Sequence, residues 1–297
     1  MAVIATRALT KSYGRSRGVV DLDLEVDEGE VFGFLGPNGA GKTTTIRTLL
    51  DLLRPTSGTA EVVGLDSRRD SLEIRRRVGY LPGDLALYER LTGREHVEWL
   101  GELRGGLDQA ALDGLVERFQ VDLERPIAQL SKGNRQKIGL VQAFMHDAEL
   151  LVLDEPTSGL DPLMQEEFHA LLRETVAAGR SVFLSSHSLD EVQHVADRVG
   201  IIRDGQLVAV ERVEELRARA SRRVDVRFAP GTPPDPHAFA DLPGVSDVSV
   251  RGDLVSFSIT GSIRPVLRAA ADHEVVDLLS RPADLEEIFL TYYRGDR

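Results

Sequence analysis

Gly36-Pro37-Asn38-Gly39-Ala40-Gly41-Lys42-Thr43-Thr44 carries the spacing G-x-x-x-x-G-K-[ST] of a phosphate-binding loop. Its neighbours fit that reading. Val31-Phe32-Gly33-Phe34-Leu35 is a short apolar run, expected to be a buried parallel strand. The residues from Lys42 to Leu53 read as a helix with Ile46, Leu49, Leu50 and Leu53 on one face. Glycines at 36, 39 and 41 allow backbone N–H groups to converge on phosphate oxygens where a side chain would obstruct them. The helix N-terminus adds partial positive charge at the same point. Lys42 is expected to reach the β- and γ-phosphates, and the Thr43 hydroxyl to ligate Mg²⁺.

Further along the chain, Leu150-Leu151-Val152-Leu153 is apolar and ends in Asp154-Glu155. In a phosphate-loop protein an aspartate at a strand end shares in holding Mg²⁺, here opposite Thr43. Glu155 is then placed to polarise a water for in-line attack on the γ-phosphate. The plainer alternative is that both acids start a solvated turn before Pro156. His187 follows Val182-Phe183-Leu184-Ser185-Ser186, so it is expected to emerge at the same carboxyl edge, where ligands of open α/β sheets bind. There it could sense the triphosphate or orient the water; the alternative is a structural histidine.

At 297 residues the chain has room for two domains. Its 42% hydrophobic and 28% charged content is that of a globular protein. No run of 18 apolar residues predicts a membrane span, and the first residues lack the pattern of a signal peptide. The absence of cysteine excludes disulfides and thiolate metal sites within the sequence. A net charge of −12 argues against nucleic acid as a partner, since sequence-independent binding needs a cationic face.

The expected class is α/β, with antiparallel strands before the loop and a mainly helical stretch over 85–148. A helix is predicted from Pro162 to Ala178, stopped by Gly179, and a hairpin over Val199–Val210 turns at Asp204-Gly205. Composition shifts near 215. The arginines 217, 219, 222, 223 and 227 read as a solvated connecting helix and strand start rather than a membrane-binding patch. Residues 216–222 are taken as a connecting segment, and 223–297 as a small α+β accessory domain with strands near 245–251, 253–260 and 274–280. A helix is expected near 263–271, and a last amphipathic segment over 283–293.

Taken in order, these motifs resemble the ATP-binding subunits of ABC transporters over residues 1 to about 215. Leu130-Ser131-Lys132-Gly133-Asn134-Arg135-Gln136-Lys137 is similar to the family signature, Leu151–Pro156 to its Walker B strand, Ser158-Gly159-Leu160-Asp161 to its D-loop, and His187 to its switch histidine. Tyr13 matches the aromatic residue that stacks on adenine. The resemblance implies a P-loop NTPase fold, ATP and Mg²⁺ as cofactors, and ATP hydrolysis. It implies that ATP lies between two cassettes paired head to tail, with Ser131 and Gly133 of one facing the phosphate loop of the other. Asn134 and Asp161 belong to the same implied nucleotide contact set. A second copy or a paralogue must complete the sites, and a separate multi-span permease carries the cargo at the cell membrane. The chain would be peripheral, on the cytoplasmic face.

Two stretches depart from the family pattern. Lys132 and Asn134 stand where Gly and Gln are usual, and Gly83 stands where a coupling Gln is usual, with Asp84 beside it. Both departures, together with Arg281–Leu290, resemble the exporter branch with ABC-2-type permeases, which includes antibiotic self-resistance exporters. Two alternatives remain open at this point: a soluble ABC-type ATPase of translation or DNA repair, and an importer subunit.

Overall fold

The computed structural model describes residues 1–14, 16–219, 221–231, 237–281 and Phe289. It divides into two compact units, Met1–Glu211 and Arg212–Arg297. The first opens with β1 (Ala2–Tyr13), β2 (Ser16–Asp27) and β3 (Val31–Leu35), then α1 (Lys42–Leu49), β4 (Ser57–Val62), β5 (Leu65–Asp66), α2 (Ser71–Arg77) and β6 (Val78–Leu81). Helices α3 (Gly93–Leu103), α4 (Gln109–Phe119) and α5 (Lys132–Phe144) follow. The unit ends with β7 (Leu150–Asp154), α6 (Pro162–Ala177), β8 (Ser181–Ser186), α7 (Leu189–Val195), β9 (Arg198–Arg203) and β10 (Gln206–Arg212).

These strands form two sheets. One has the order β2-β1-β4-β5, and the other β10-β9-β3-β8-β7-β6. In the second, β3, β6, β7, β8 and β9 pair in parallel. Every residue of β3, β7 and β8 is buried, which is why their sequences are continuous apolar runs rather than alternating ones. Phe183 of β8 stacks on Phe32 at 5.9 Å and lies 5.4 Å from Phe34. Ile4, Leu22, Leu24 and Val26 of the first sheet join Phe32, Phe34, Ile46 and Leu49 in one core. The early strands therefore do more than lead into β3: they make a separate sheet packed on the same core.

Three further departures from the sequence reading have local causes. Helix α1 stops four residues before Leu53. Asp51 takes a left-handed backbone (φ 53°), and the Leu52 and Leu53 N–H groups both turn back to Arg47 O, ahead of Pro55. Strand β4 begins at Ser57, inside the Thr56–Thr59 stretch whose composition reads as a turn before a strand over Ala60–Gly64. Helices α2 and α7 were not anticipated; at seven residues each they are too short to show a helical period. Helix α3 is opened by a reciprocal capping box between Thr92 and Glu95. No helix among the described residues is long and apolar enough to cross a membrane.

The second unit contains α8 (Val213–Arg219), β11 (Arg222–Phe228), α9 (His237–Ala240), β12 (Val245–Arg251), β13 (Leu254–Ile259), α10 (Arg264–Ala271) and β14 (Val275–Ser280). Its sheet, β12-β13-β11-β14, is antiparallel. Val224, Val226 and Phe228 alternate inward with Val255, Phe257 and Ile259, and the core is closed by Phe239, Val266 and Ala270. The expected segment over 283–293 lies outside the described residues except for Phe289.

His146, just past α5, gives the first unit a pH dependence. Arg104 Nη1 lies 2.7 Å from His146 Nε2, and a guanidinium is a donor only, so that nitrogen accepts. Burial first, and the Arg104 charge second, push the His146 pKa down from 6.5 to about 4. The folded state holds this ring neutral while the unfolded chain protonates it, so acid favours unfolding between those two values. The urea midpoint should fall on acidification from about pH 6.5 toward 4. His146→Gln should make that limb shallower, the remainder belonging to His96 and His169, whose pKa values burial also lowers; an unchanged limb would remove His146 as a contributor.

Candidate functional site

The site lies where β3, β7 and β8 end. Beyond β3 the chain enters the glycine-rich loop, in which Gly39 and Gly41 have positive φ (82° and 112°) that other residues rarely adopt. Gly41 is the N-cap of α1 and offers no side-chain cap. The first N–H groups of α1 therefore face the loop's concavity, as helix geometry leaves them without intrahelical partners. That concavity is a cavity of about 190 Å³ lined by Gly18, Asn38, Gly39, Gly41, Lys42, Thr43, Thr44 and Glu155.

Lys42 is 6% exposed and its ammonium donates to Gly36 O at 2.6 Å and Pro37 O at 3.4 Å. It also faces Glu155 Oε1 at 3.3 Å. The other Glu155 oxygen lies 2.7 Å from His187 Nδ1. A carboxylate only accepts, so with Glu155 ionised the histidine proton sits on Nδ1. Glu155 has a left-handed backbone (φ 51°), costly for a side chain of its size and characteristic of functional sites. Its N–H is held by Ser185 O at 3.2 Å, and its carbonyl accepts from Ser158 N at 3.2 Å and Gln136 Nε2 at 3.4 Å.

Asp154 is fully buried at the end of β7. Its Oδ2 accepts from the Thr43 hydroxyl at 2.7 Å, and its Oδ1 from the Ser185 hydroxyl at 2.5 Å. Two neutral donors leave the carboxylate's charge in place. A hydroxyl and a carboxylate facing each other form an all-oxygen donor set, the chemistry that suits Mg²⁺. The charge is felt by Tyr80, whose phenol pKa is raised first by burial and then by Asp154. Gly83 approaches the same carboxylate: a Cβ there would lie 3.0 Å from Asp154 Oδ2 and 3.1 Å from its Cγ. A side chain there would need the carboxylate to give way by a few tenths of an ångström.

The remaining sequence candidates are elsewhere. Ala40 is buried behind the loop and accepts from Gly205 N at 2.9 Å, so the turn of the β9–β10 hairpin backs the loop. Tyr13 is exposed at the end of β1, with the Lys11 ammonium 5.3 Å above its ring. Ser131 caps α5, accepting from Asn134 N at 3.3 Å, and Asp161 caps α6, accepting from Met164 N at 3.0 Å. Ser131, Gly133 and Asn134 are not part of the cavity wall. They lie against this chain's own loop after β7: a Cβ on Gly133 would fall 2.6 Å from Gly159 O, and Lys132 Nζ donates to Ser158 Oγ at 3.2 Å. Gln136, buried, fastens α5 to Pro156 O at 2.9 Å.

The model of the ABC transporter family matches residues 19–158. The daunorubicin resistance ATP-binding protein DrrA3 of Streptomyces coeruleorubidus is 37% identical over 299 residues, covering 97% of this chain and 94% of that one. The chain belongs to the ATP-binding proteins of ABC transporters. The bacitracin transport ATP-binding protein BcrA of Bacillus licheniformis is also 37% identical, over 76% of this chain and 75% of its own. A solved ATP-binding subunit of an ABC transporter superposes with a TM-score of 0.67 at 30% identity, covering 72% of this chain and 92% of that one. This ABC protein is therefore an ATP-binding, ATP-hydrolysing transporter subunit with the P-loop NTPase fold.

Sequence reasoning missed Ser185, Gln136 and Gly18. Ser185 precedes His187 by two residues, and the parallel register pairs it with Asp154 on the neighbouring strand. Gln136 and Gly18 carry no motif signal of their own. Ser185→Ala should leave a buried Asp154 oxygen without its donor and lower stability by about 1–3 kcal/mol in urea unfolding. A variant as stable as wild type would deny that bond its structural weight.

Proposed function

We propose that this ATPase drives export through a separate multi-span permease, as one of two cassettes paired head to tail on the cytoplasmic face of the cell membrane. The observation that carries the pairing is the separation of signature from phosphate loop within one chain. Ser131 and Gly133 lie outside the cavity built by Lys42 and Thr43. A second copy or a paralogue supplies them. Export is supported by relatives named for bacitracin transport and daunorubicin resistance, the second matching nearly the whole chain. Residues 1–215 act as the cassette and 223–297 as an accessory domain. No observation favours the soluble-ATPase or importer alternatives.

In this reading the glycine-rich loop, with the residues from Gly36 to Thr44, cradles the triphosphate. Tyr13 stacks on adenine, while Asn134 and Asp161 complete the contacts at the interface. Thr43 and Asp154 hold Mg²⁺, which neutralises phosphate charge. Lys42 exchanges its carbonyl partners and Glu155 for phosphate oxygens. Glu155, released from Lys42, accepts the proton of the attacking water on a carboxylate oxygen. His187 orients that carboxylate through Nδ1. A contact from His187 Nε2 to a γ-phosphate oxygen needs either the imidazolium or release of the Nδ1–Glu155 bond, because the neutral ring has one N–H.

Glu155→Gln tests both halves. It removes the proton acceptor and also the anion that competes with phosphate for Lys42. Turnover should be abolished while ATP is retained in a stable dimer. Tagged Glu155→Gln chain with ATP and Mg²⁺, recovered from source-cell membranes, should carry a stoichiometric multi-span protein identified by mass spectrometry. Wild-type hydrolysis would refute the role of Glu155, and recovery of ribosomes or soluble partners alone would refute the permease.

A further inference from the structure

Glu191 lies in the first turn of α7, four residues past His187, and both its carboxylate oxygens are engaged. Oε1 accepts from the Thr157 hydroxyl at 2.5 Å, and Oε2 accepts from the Ser186 hydroxyl at 2.6 Å. Thr157 and Ser186 are themselves 4% and 0% exposed. Ser186 Oγ also accepts from Ser188 N at 2.9 Å, so the backbone on both sides of His187 is tied to one point. Thr157 stands two residues beyond Glu155, and Ser186 stands immediately before His187. One carboxylate therefore joins the loop bearing Glu155 to the strand end bearing His187.

The helix that carries Glu191 is itself fixed. Val192 is fully buried and lies so close to β3 that a Cβ on Gly33 would fall 2.3 Å from its Cγ1. The N-cap of α7 is Ser188, which accepts from Glu191 N at 3.5 Å. Charge-assisted hydrogen bonds from buried hydroxyls are among the stronger contacts available to such a group. Together, a rigid helix and two short bonds set the distance between the loops.

We propose that Glu191 is a positioning residue for ATP hydrolysis: by tying Thr157 to Ser186 it holds Glu155 and His187 at their 2.7 Å contact. The inference rests on the roles proposed above for those two residues. Glu191 touches neither nucleotide nor water in this account. Its effect belongs in the rate of the chemical step and not in ATP affinity, because small misplacement of reacting groups is costly in rate.

The test uses the full chain with Glu191→Ala, Glu191→Gln and Thr157→Val. ATP affinity is measured with a fluorescent ATP analogue, hydrolysis at steady state, and the His187 imidazole by ¹⁵N NMR, assigned with His187→Gln. Glu191→Ala should lower kcat about tenfold or more while ATP affinity stays within about threefold, and should move the His187 resonance toward that of a free imidazole. Thr157→Val should cause a smaller loss, and adding it to Glu191→Ala should cost nothing further, since both remove one linkage. Glu191→Gln, which keeps the shape and one acceptor, should restore part of the rate. Should Glu191→Ala not fold, the Thr157→Val and Glu191→Gln spectra read the same displacement. An unmoved His187 resonance, or losses in affinity that match losses in rate, would overturn the proposal. Glu155→Gln measured alongside separates the two ideas. If it is inactive while Glu191→Ala turns over normally, the positioning role alone fails; if Glu155→Gln itself turns over normally, the underlying reading fails.

Discussion

Parallel pairing of β3, β8 and β7 obliges their carboxyl ends to share one edge, and the register makes them finish at one level. Leu35 pairs with Ser186, and Asp154 pairs with Ser185. The next residue of each strand therefore starts a loop from nearly the same line: Gly36, His187 and Glu155. The ladder continues one step into two of these loops, with Gly36 N bonded to Ser186 O at 3.3 Å and Glu155 N to Ser185 O at 3.2 Å. Residues separated by more than a hundred positions are thereby placed within hydrogen-bonding distance. The buried apolar strands supply the stability, and their shared edge supplies the geometry.

Charge at that edge is balanced inside the chain. Lys42 is buried among carbonyls and Glu155, and Glu155 is shared with His187. Burying an ammonium without partners is costly, so a charged competitor must match what these groups already provide. A triphosphate does so through more oxygens and higher charge. In the proposed cycle the same exchange frees Glu155 for water, which links occupancy of the loop to the availability of the base. The fully buried Asp154 carboxylate, met by two hydroxyls, completes an edge whose polar groups all have partners within the chain.

How much of this was legible follows from how far each signal extends along the chain. The glycine-rich loop, the apolar strands ending at Asp154 and Ser186, and the Asp204-Gly205 turn are contiguous patterns, and each could be read from neighbouring residues. Strands β12, β13 and β14 and helix α10 of the second unit are likewise visible as alternation and period, whereas the four-residue α9 is too short to show one. The end of α1 was not, because Leu50 and Leu53 fit a helical face while Asp51 reverses the backbone between them. The separate sheet of β1 and β2 was not, because pairing partners are not encoded locally. Ser185, Gln136 and Glu191 are single polar residues whose partners lie between 5 and 34 positions away. No periodicity marks them. Gly83 stands out in the sequence as a departure, but its closeness to the Asp154 carboxylate is visible only in three dimensions.

On the proposed pairing, each hydrolytic site is assembled from two copies of this chain, Lys42 of one and Ser131 of the other. Mixing Lys42→Ala chain with Ser131→Ala chain tests it most directly. Each variant alone should be inactive, because every site of its own dimer lacks one component. In the mixture half of the dimers are hybrids, and each hybrid holds one intact site out of two, so ATP hydrolysis should return to about a quarter of the wild-type rate. A mixture as inactive as either variant alone would contradict head-to-tail assembly.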